Sequence, residues 1–217
     1  MQYYVILFIL ITLLKNQLIM QTITISGLDG SGKSTQIEML KLHLESQNQK
    51  VFYFHAVDFS LANKIFFWKH QKNKKIDTGV TKTTSFQVFL RKIFFKIDLW
   101  RFEKLCQKLE QANFDYILSD RFFYDSAINI IYLSNLKLSF RNFLKLSFRN
   151  PNLAFYLQAD PELIMQRDRK PDQGLEYLQK KKELYDQYFQ TLSGAQIIDG
   201  NQNKDVIFAQ IKEKIKA

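Results

Sequence analysis

From Gln21 onward, short apolar runs alternate with longer stretches in which apolar residues recur every three or four positions. Thr22 to Ser26, Lys50 to Phe54, Tyr116 to Ser119, Leu153 to Gln158 and Gln196 to Ile198 are short and rich in β-branched or aromatic residues, and predict strands. Lys33 to Ser46 predicts a helix with Ile37, Leu40 and Leu44 facing inward. Ser85 to Ala112, Phe123 to Leu133, Leu138 to Phe148, Leu175 to Leu192 and Lys204 to Lys216 predict five more. Asp160, Pro161 and Glu162 carry the marks of a helix start: a capping carboxylate, proline at the first helical position and an acid in the first turn. Strands alternating with helices predict an α/β fold, a five-stranded parallel sheet with helices on both faces.

Two polar stretches interrupt this alternation. Lys72 to Thr84 holds Gly79 and reads as a flexible loop, and Pro171 with Gly174 marks another. Leu136 to Asn150, LKLSFRNFLKLSFRN, echoes itself but is too brief for a repeat architecture. Tyr3 to Leu14 is nearly continuous apolar sequence, so residues 1–19 read as an extension ahead of a domain at 20–217. That run is shorter than the roughly 20 apolar residues a bilayer requires. It also lacks the positive leading region and small-residue cleavage site of a signal peptide. The preferred account is an upstream translation start adding a dispensable extension before Met20; the alternative is a helix lying on a membrane surface.

The 217 residues are 46% hydrophobic with only three prolines and seven glycines, which excludes a disordered chain and fits one domain. A net charge of +10 suits nucleic acid, an anionic membrane or small phosphorylated substrates. No nucleic-acid module accompanies it, so none is expected as a partner, and the basic bunches Lys69 to Lys75 and Lys180 to Lys182 read as solvated surface. Cys106 is the only cysteine, which excludes an intrachain disulfide; it shares a helical stripe with Leu99, Phe102, Leu105 and Leu109 and reads as a buried structural thiol. His43, His55 and His70 show no ligand spacing, and no zinc site is expected.

The chemistry concentrates in Thr22 to Gln36, TITISGLDGSGKSTQ. Gly27, Gly32, Lys33 and Ser34 satisfy the spacing of a phosphate-binding loop between a strand and a helix. Glycines let successive N–H groups converge on phosphate oxygens, and the helix amino end adds free donors and a positive dipole. Gly27, Asp29, Gly30, Ser31, Gly32, Lys33, Ser34 and Thr35 are therefore the expected nucleotide-binding residues. Lys33 would reach the outer phosphates and Ser34 would help hold magnesium. Asp120 and Arg121 follow a probable central strand, at the edge where open α/β sheets bind ligands. Asp120 is a second metal candidate, alternatively a helix cap, and Arg121 a phosphate fork. Arg167, Arg169 and Lys170 form a basic cluster before Pro171, suited either to closing over a transferred phosphoryl group or to a solvated helix end.

In this order the motifs resemble the thymidylate kinase family of P-loop nucleoside monophosphate kinases. The matching elements are ISGLDGSGKSTQ (Ile25 to Gln36), SDRFFYDSA (Ser119 to Ala127) and PNLAFYLQADPE (Pro151 to Glu162), followed by the arginines before Pro171. The resemblance implies a P-loop fold, ATP and magnesium as cofactors, dTMP as acceptor and a cytoplasmic setting. It assigns Lys33, Asp120, Arg121, Arg167 and Arg169 to catalysis, Ser34 and Asp120 to the metal, and a lid to residues near 167–174. Some members place a catalytic arginine inside the phosphate loop, where this chain has Asp29, Gly30 and Ser31, so the lid arginines would carry that charge. Members are commonly dimers; the helix Phe86 to Phe102 would serve a homodimer interface or simply the core.

Two departures concern the acceptor. The family's Arg-Glu-Pro-Gly-Gly segment after the second strand is replaced by FHAVDFSLANK, Phe54 to Lys64. Asp58 is a candidate replacement for its acid, and Arg91 or Arg101 for its cation. The expected glutamine after the Asp-Arg pair is out of register; Asn129 is the nearest amide, for base reading or as an ordinary helix-face residue. Phe89, Phe94 and Phe95 are spaced for core packing, with base stacking as the alternative. Two rival readings stand beside dTMP: another acceptor, a nucleoside or small phosphorylated metabolite, and a non-catalytic ATP-binding module working through a partner or membrane.

Overall fold

The computed structural model describes residues 20–65, 85–134, 150–168 and 170–216. The extension 1–19, the stretch 66–84 with His70 and the first basic bunch, the expected helix Leu138 to Phe148, and Arg169 lie outside the described residues.

Strands β1 (Gln21–Gly27), β2 (Val51–His55), β3 (Tyr116–Asp120), β4 (Leu153–Gln158) and β5 (Gln196–Asp199) form one sheet in the order β2-β3-β1-β4-β5. Every neighbouring pair is parallel. The helices are α1 (Lys33–Ser46), α2 (Ala56–Phe59), α3 (Ser85–Gln111), α4 (Phe123–Ser134), α5 (Pro161–Met165), α6 (Leu175–Thr191) and α7 (Lys204–Lys216). Residues 61–65 are also helical. Asp160 caps α5 as its sequence predicts, its carboxylate accepting from the Glu162 N–H at 3.1 Å with Pro161 opening the helix.

Side-chain alternation along the strands divides the core in two. Ile23, Ile25, Leu118, Phe155 and Leu157 meet Ile37, Leu40 and Leu44 of α1 and Ile207 and Ile211 of α7. On the opposite face Ile117, Ala154 and Tyr156 meet Phe95, Phe102, Cys106 and Leu109 of α3, Ala127 and Ile128 of α4, and Tyr185, Tyr188 and Phe189 of α6. Cys106 is fully buried there, as its stripe predicts. Helix α3 is not buried all round: Phe95 is in the core, but Phe89 is 58% exposed, along with Phe86, Ile93, Ile97 and Trp100. The core expectation thus holds for Phe95 and fails for Phe89, because a single helix cannot turn both residues toward the sheet. Among the described residues no helix is long and apolar enough to cross a membrane.

Candidate active site

The strand order puts β1 at the centre, so the loop leaving its carboxyl end is flanked by the ends of β3 and β4. Ile25 pairs with Asp120 and Gly27 with Leu157. Gly27 turns the chain at φ 149°, and a Cβ there would meet the Leu157 carbonyl oxygen at 2.7 Å. Only glycine lets the loop leave the sheet so close to β4. Gly30 and Gly32 have φ of 81° and 99° and complete the turn into α1, whose amino end has no side-chain cap. Its free N–H groups are therefore available to an anion. The Ser31 hydroxyl is buried without a hydrogen-bond partner among the described residues, the kind of orphaned donor that a phosphate oxygen would satisfy.

Lys33 is buried and donates to the Leu28 carbonyl at 2.6 Å. Burial, then the nearby Arg121 charge, lowers its pKa to about 8 against the opposing pull of Asp29, Asp120 and Asp125. Ser34 Oγ donates to Asp120 Oδ2 at 2.8 Å, joining two hard oxygen ligands at the mouth of the loop. That donor pair suits magnesium, which is held through few protein oxygens beside phosphate and water. Thr35 is exposed one residue further along α1.

Arg121 sits just past β3 in the left-handed region, φ 67°, with its N–H on the Ile25 carbonyl and its guanidinium on Asp29. Burial favours the neutral form of Asp29, but Arg121 and Lys33 outweigh it and hold the carboxyl below its ordinary range. Arg167 donates to the Gly30 carbonyl and, at 3.3 Å, to the Gly200 carbonyl, which ties the segment after α5 to the phosphate loop.

Beside the loop opens a cavity of about 680 Å³, lined among others by Leu28, Asp29, Asp58, Arg91, Arg121 and Asn129. Its floor includes Asp125, a buried carboxylate that accepts from Ser26 Oγ at 2.5 Å, the Phe122 N–H at 2.7 Å and Tyr185 Oη at 2.7 Å. Burial raises the Asp125 pKa despite these donors. A phosphate-binding loop at the carboxyl edge of the central strand thus adjoins an open cavity whose largely apolar lining carries Asp29, Arg121, Asp125 and Lys181.

A family model for thymidylate kinase matches residues 25–211. The chain belongs to the thymidylate kinase family. It is a phosphotransferase of the nucleoside monophosphate kinase class. It is 25% identical over 208 residues to a thymidylate kinase of Thermosipho africanus, covering 89% of this chain and 96% of that one. It is equally identical over 195 residues to a probable thymidylate kinase of Methanosphaera stadtmanae, with the same coverage. The solved thymidylate kinase of Candida albicans superposes with a TM-score of 0.68 at 22% identity over 91% of each chain. That of Ehrlichia chaffeensis gives 0.60 at 13% identity, over 90% of this chain and 98% of that one. At these identities the two superpositions establish the fold.

Within this kinase the sequence candidates separate. Lys33, Ser34, Asp120, Arg121, Arg167 and the loop glycines converge at one sheet edge. Of the two candidate replacement cations, Arg91 lines the cavity. Arg101 does not: it pairs with Asp98 at 2.6 Å, donates to the Phe59 carbonyl and lies over the Phe59 ring. Asp58 lines the cavity while pairing with His55 at 2.6 Å. None of Phe89, Phe94 and Phe95 is among the residues lining the main cavity. Asn129 is no ordinary helix-face residue, since its carbonyl accepts from Lys181 at 3.0 Å at the cavity wall.

The reading of Lys180 to Lys182 as solvated surface fails for the middle residue. Lys181 is 6% exposed and lines the cavity. The signal was present in the phase of α6, because Leu178 and Tyr185, three before and four after Lys181, are core residues on the same helical face. Asp125 was likewise missed, although it lies four residues after Arg121 and one turn before Asn129 on α4.

Proposed function

We propose that the chain transfers the γ-phosphate of ATP to the phosphate of dTMP, the donor on the phosphate loop and the acceptor in the adjoining cavity. The observation that carries this reading is the meeting of Lys33 and the Ser34–Asp120 oxygen pair at the carboxyl ends of β1 and β3, with Arg121 lining the adjoining cavity. Backbone N–H groups from Gly27 to Ser34 and the amino end of α1 hold the donor phosphates, with Asp29, Gly30, Ser31, Gly32 and Thr35 completing the loop. Ser34 and Asp120 would hold magnesium, which when bound neutralises phosphate charge.

The acceptor phosphate is already a competent nucleophile, so alignment and charge stabilisation carry the catalysis. Arg121 anchors the acceptor with a planar fork that matches a phosphate edge. Arg167, which already reaches the phosphate loop, would lie over the transferred group, and the family resemblance assigns Arg169 of the segment 167–174 to the same task. Water exclusion by that segment would protect the donor from hydrolysis. ADP release from ATP and magnesium with dTMP, dUMP, other nucleoside monophosphates, thymidine or no acceptor tests the reading. Stimulation chiefly by dTMP is expected, and ATP binding without stimulation by any acceptor would overturn it.

A further inference from the structure

Three consecutive lysines on α6 meet three different surroundings. Lys180 is on the outside, paired with Glu176 at 2.5 Å, and Lys182 pairs with Asp186 at 2.6 Å. Lys181, about 100° around the helix from each, is buried and turned into the cavity beside Arg121. Its ammonium donates to Asn129 Oδ1 at 3.0 Å and lies 5.2 and 5.8 Å from the ring centroids of Tyr132 and Tyr177. Among the described residues no carboxylate lies within ion-pair distance of it.

This is an expensive arrangement for folding alone. A buried cation facing a neutral amide and two rings keeps most of its desolvation penalty, and a similar apolar side chain would stabilise the helix better. Burial and the Arg121 charge push its pKa down to about 8 against the more distant pull of Asp29 and Asp125, which still leaves it mainly protonated at neutral pH. One of its three N–H donors is used by Asn129, and the others are available to a ligand. Arg121, the neighbouring cation, already has Asp29 as a counter-ion. A base carbonyl would accept a hydrogen bond from Lys181 and add little to the partial compensation of its charge by Asp29 and Asp125, whereas a phosphate would satisfy both.

We infer that Lys181 binds the phosphate of the acceptor nucleotide, supplying a cation to a cavity that lacks the arginine of the Arg-Glu-Pro-Gly-Gly segment. Asn129, Tyr132 and Tyr177 hold the ammonium in position. The inference rests on the reading of this cavity as the acceptor site.

The test compares the full chain with Lys181→Met, which keeps length without charge, and Lys181→Gln, which keeps a donor. The readouts are KM for dTMP, KM for ATP, competitive inhibition by thymidine and melting temperature. The expected result is a KM for dTMP raised about tenfold or more, as for loss of a charge-assisted hydrogen bond. Thymidine inhibition and the KM for ATP stay unchanged, and the melting temperature does not fall. Equal weakening of dTMP and thymidine would assign Lys181 to base or sugar and overturn the inference. So would an unchanged KM for dTMP, or a joint loss of ATP binding, dTMP binding and melting temperature in both variants. If the unsubstituted chain is not stimulated by dTMP at all, the acceptor reading itself fails and this inference falls with it.

Discussion

Strand β1 shows two different interiors on its two sides. Toward α1 and α7 it places Ile23 and Ile25 in a largely aliphatic core. Toward α4 and α6 it places Thr22, Thr24 and Ser26, all buried, the last two bonded to Tyr124 and Asp125. Aliphatic packing is non-directional, and the polar Gln36 of α1 buried on this side has its amide donating to the Lys204 carbonyl at 2.9 Å, so the first face makes a close-packed support for α1 and the phosphate loop. The second face buries hydroxyls, carboxylates and a lysine, most of them dependent on particular partners. The cavity opens on that side, so the cost of burying its polar groups falls away from the aliphatic packing beneath α1.

The largest expected effect removes the charge that the close-packed face presents to ATP. Lys33→Ala should lower dTMP-dependent ADP release by about a thousandfold or more. Circular dichroism should stay that of the unsubstituted chain and the melting temperature should not fall, because the group lost is a buried cation with a lowered pKa rather than part of the apolar core. Full activity would sink the assigned role.

Next come substitutions that damage one face and spare the other. Leu40→Ala, at a fully buried aliphatic position, should cost about 2–5 kcal/mol in denaturant unfolding. The KM for dTMP of its folded fraction should not change.

Lys181→Met should act in the opposite direction. The Lys181 pKa falls from an ordinary 10.5 to about 8 on folding, so between those values the native state binds fewer protons than the unfolded chain. Stability from this group therefore rises as pH increases from about 8 to 10.5, and its full penalty is present below 8. Removing the ammonium should stabilise the protein by about 2–3 kcal/mol at pH 7. That gain should shrink toward pH 10.5, as urea titrations at several pH values would show. A protein made more stable and worse at holding dTMP would separate folding from recognition on this face.

Tyr185→Phe should be milder, costing about 1–2 kcal/mol because the buried Asp125 loses one of three donors. Least of all, Lys180→Ala should move neither melting temperature nor KM, since its ion pair with Glu176 is solvent-exposed. A loss of acceptor affinity on that substitution would erase the contrast with Lys181.

The two faces also differ in how readily the sequence discloses them. The aliphatic face follows from periodicity: Ile37, Leu40 and Leu44 recur at helical spacing, and α1 begins at Lys33 and ends at Ser46 as predicted. The phosphate loop follows from a contiguous motif with its strand and helix in place. The cavity is assembled from the phosphate loop, α2, residues 61–65, Arg121 just past β3, α3, α4 and α6, so its members come together only through tertiary packing. A run of three lysines looks like surface in one dimension, and only the phase of α6 against Asn129 and Tyr132 turns one inward. Arg91 and Arg101 are likewise equivalent in sequence until Asp98 and the Phe59 carbonyl engage one of them.

With Arg121 as the proposed acceptor anchor, its ion pair with Asp29 would give that site the character of an ion exchanger. An arriving anion would meet a guanidinium already partly neutralised by a carboxylate, and only what the new contact adds to that pairing would contribute to affinity. A doubly charged phosphate would gain most there, while chloride or a lone carboxylate would gain little over the anion already in place. On that reading, selectivity among anions would be set in part by a competitor carried within the polypeptide itself.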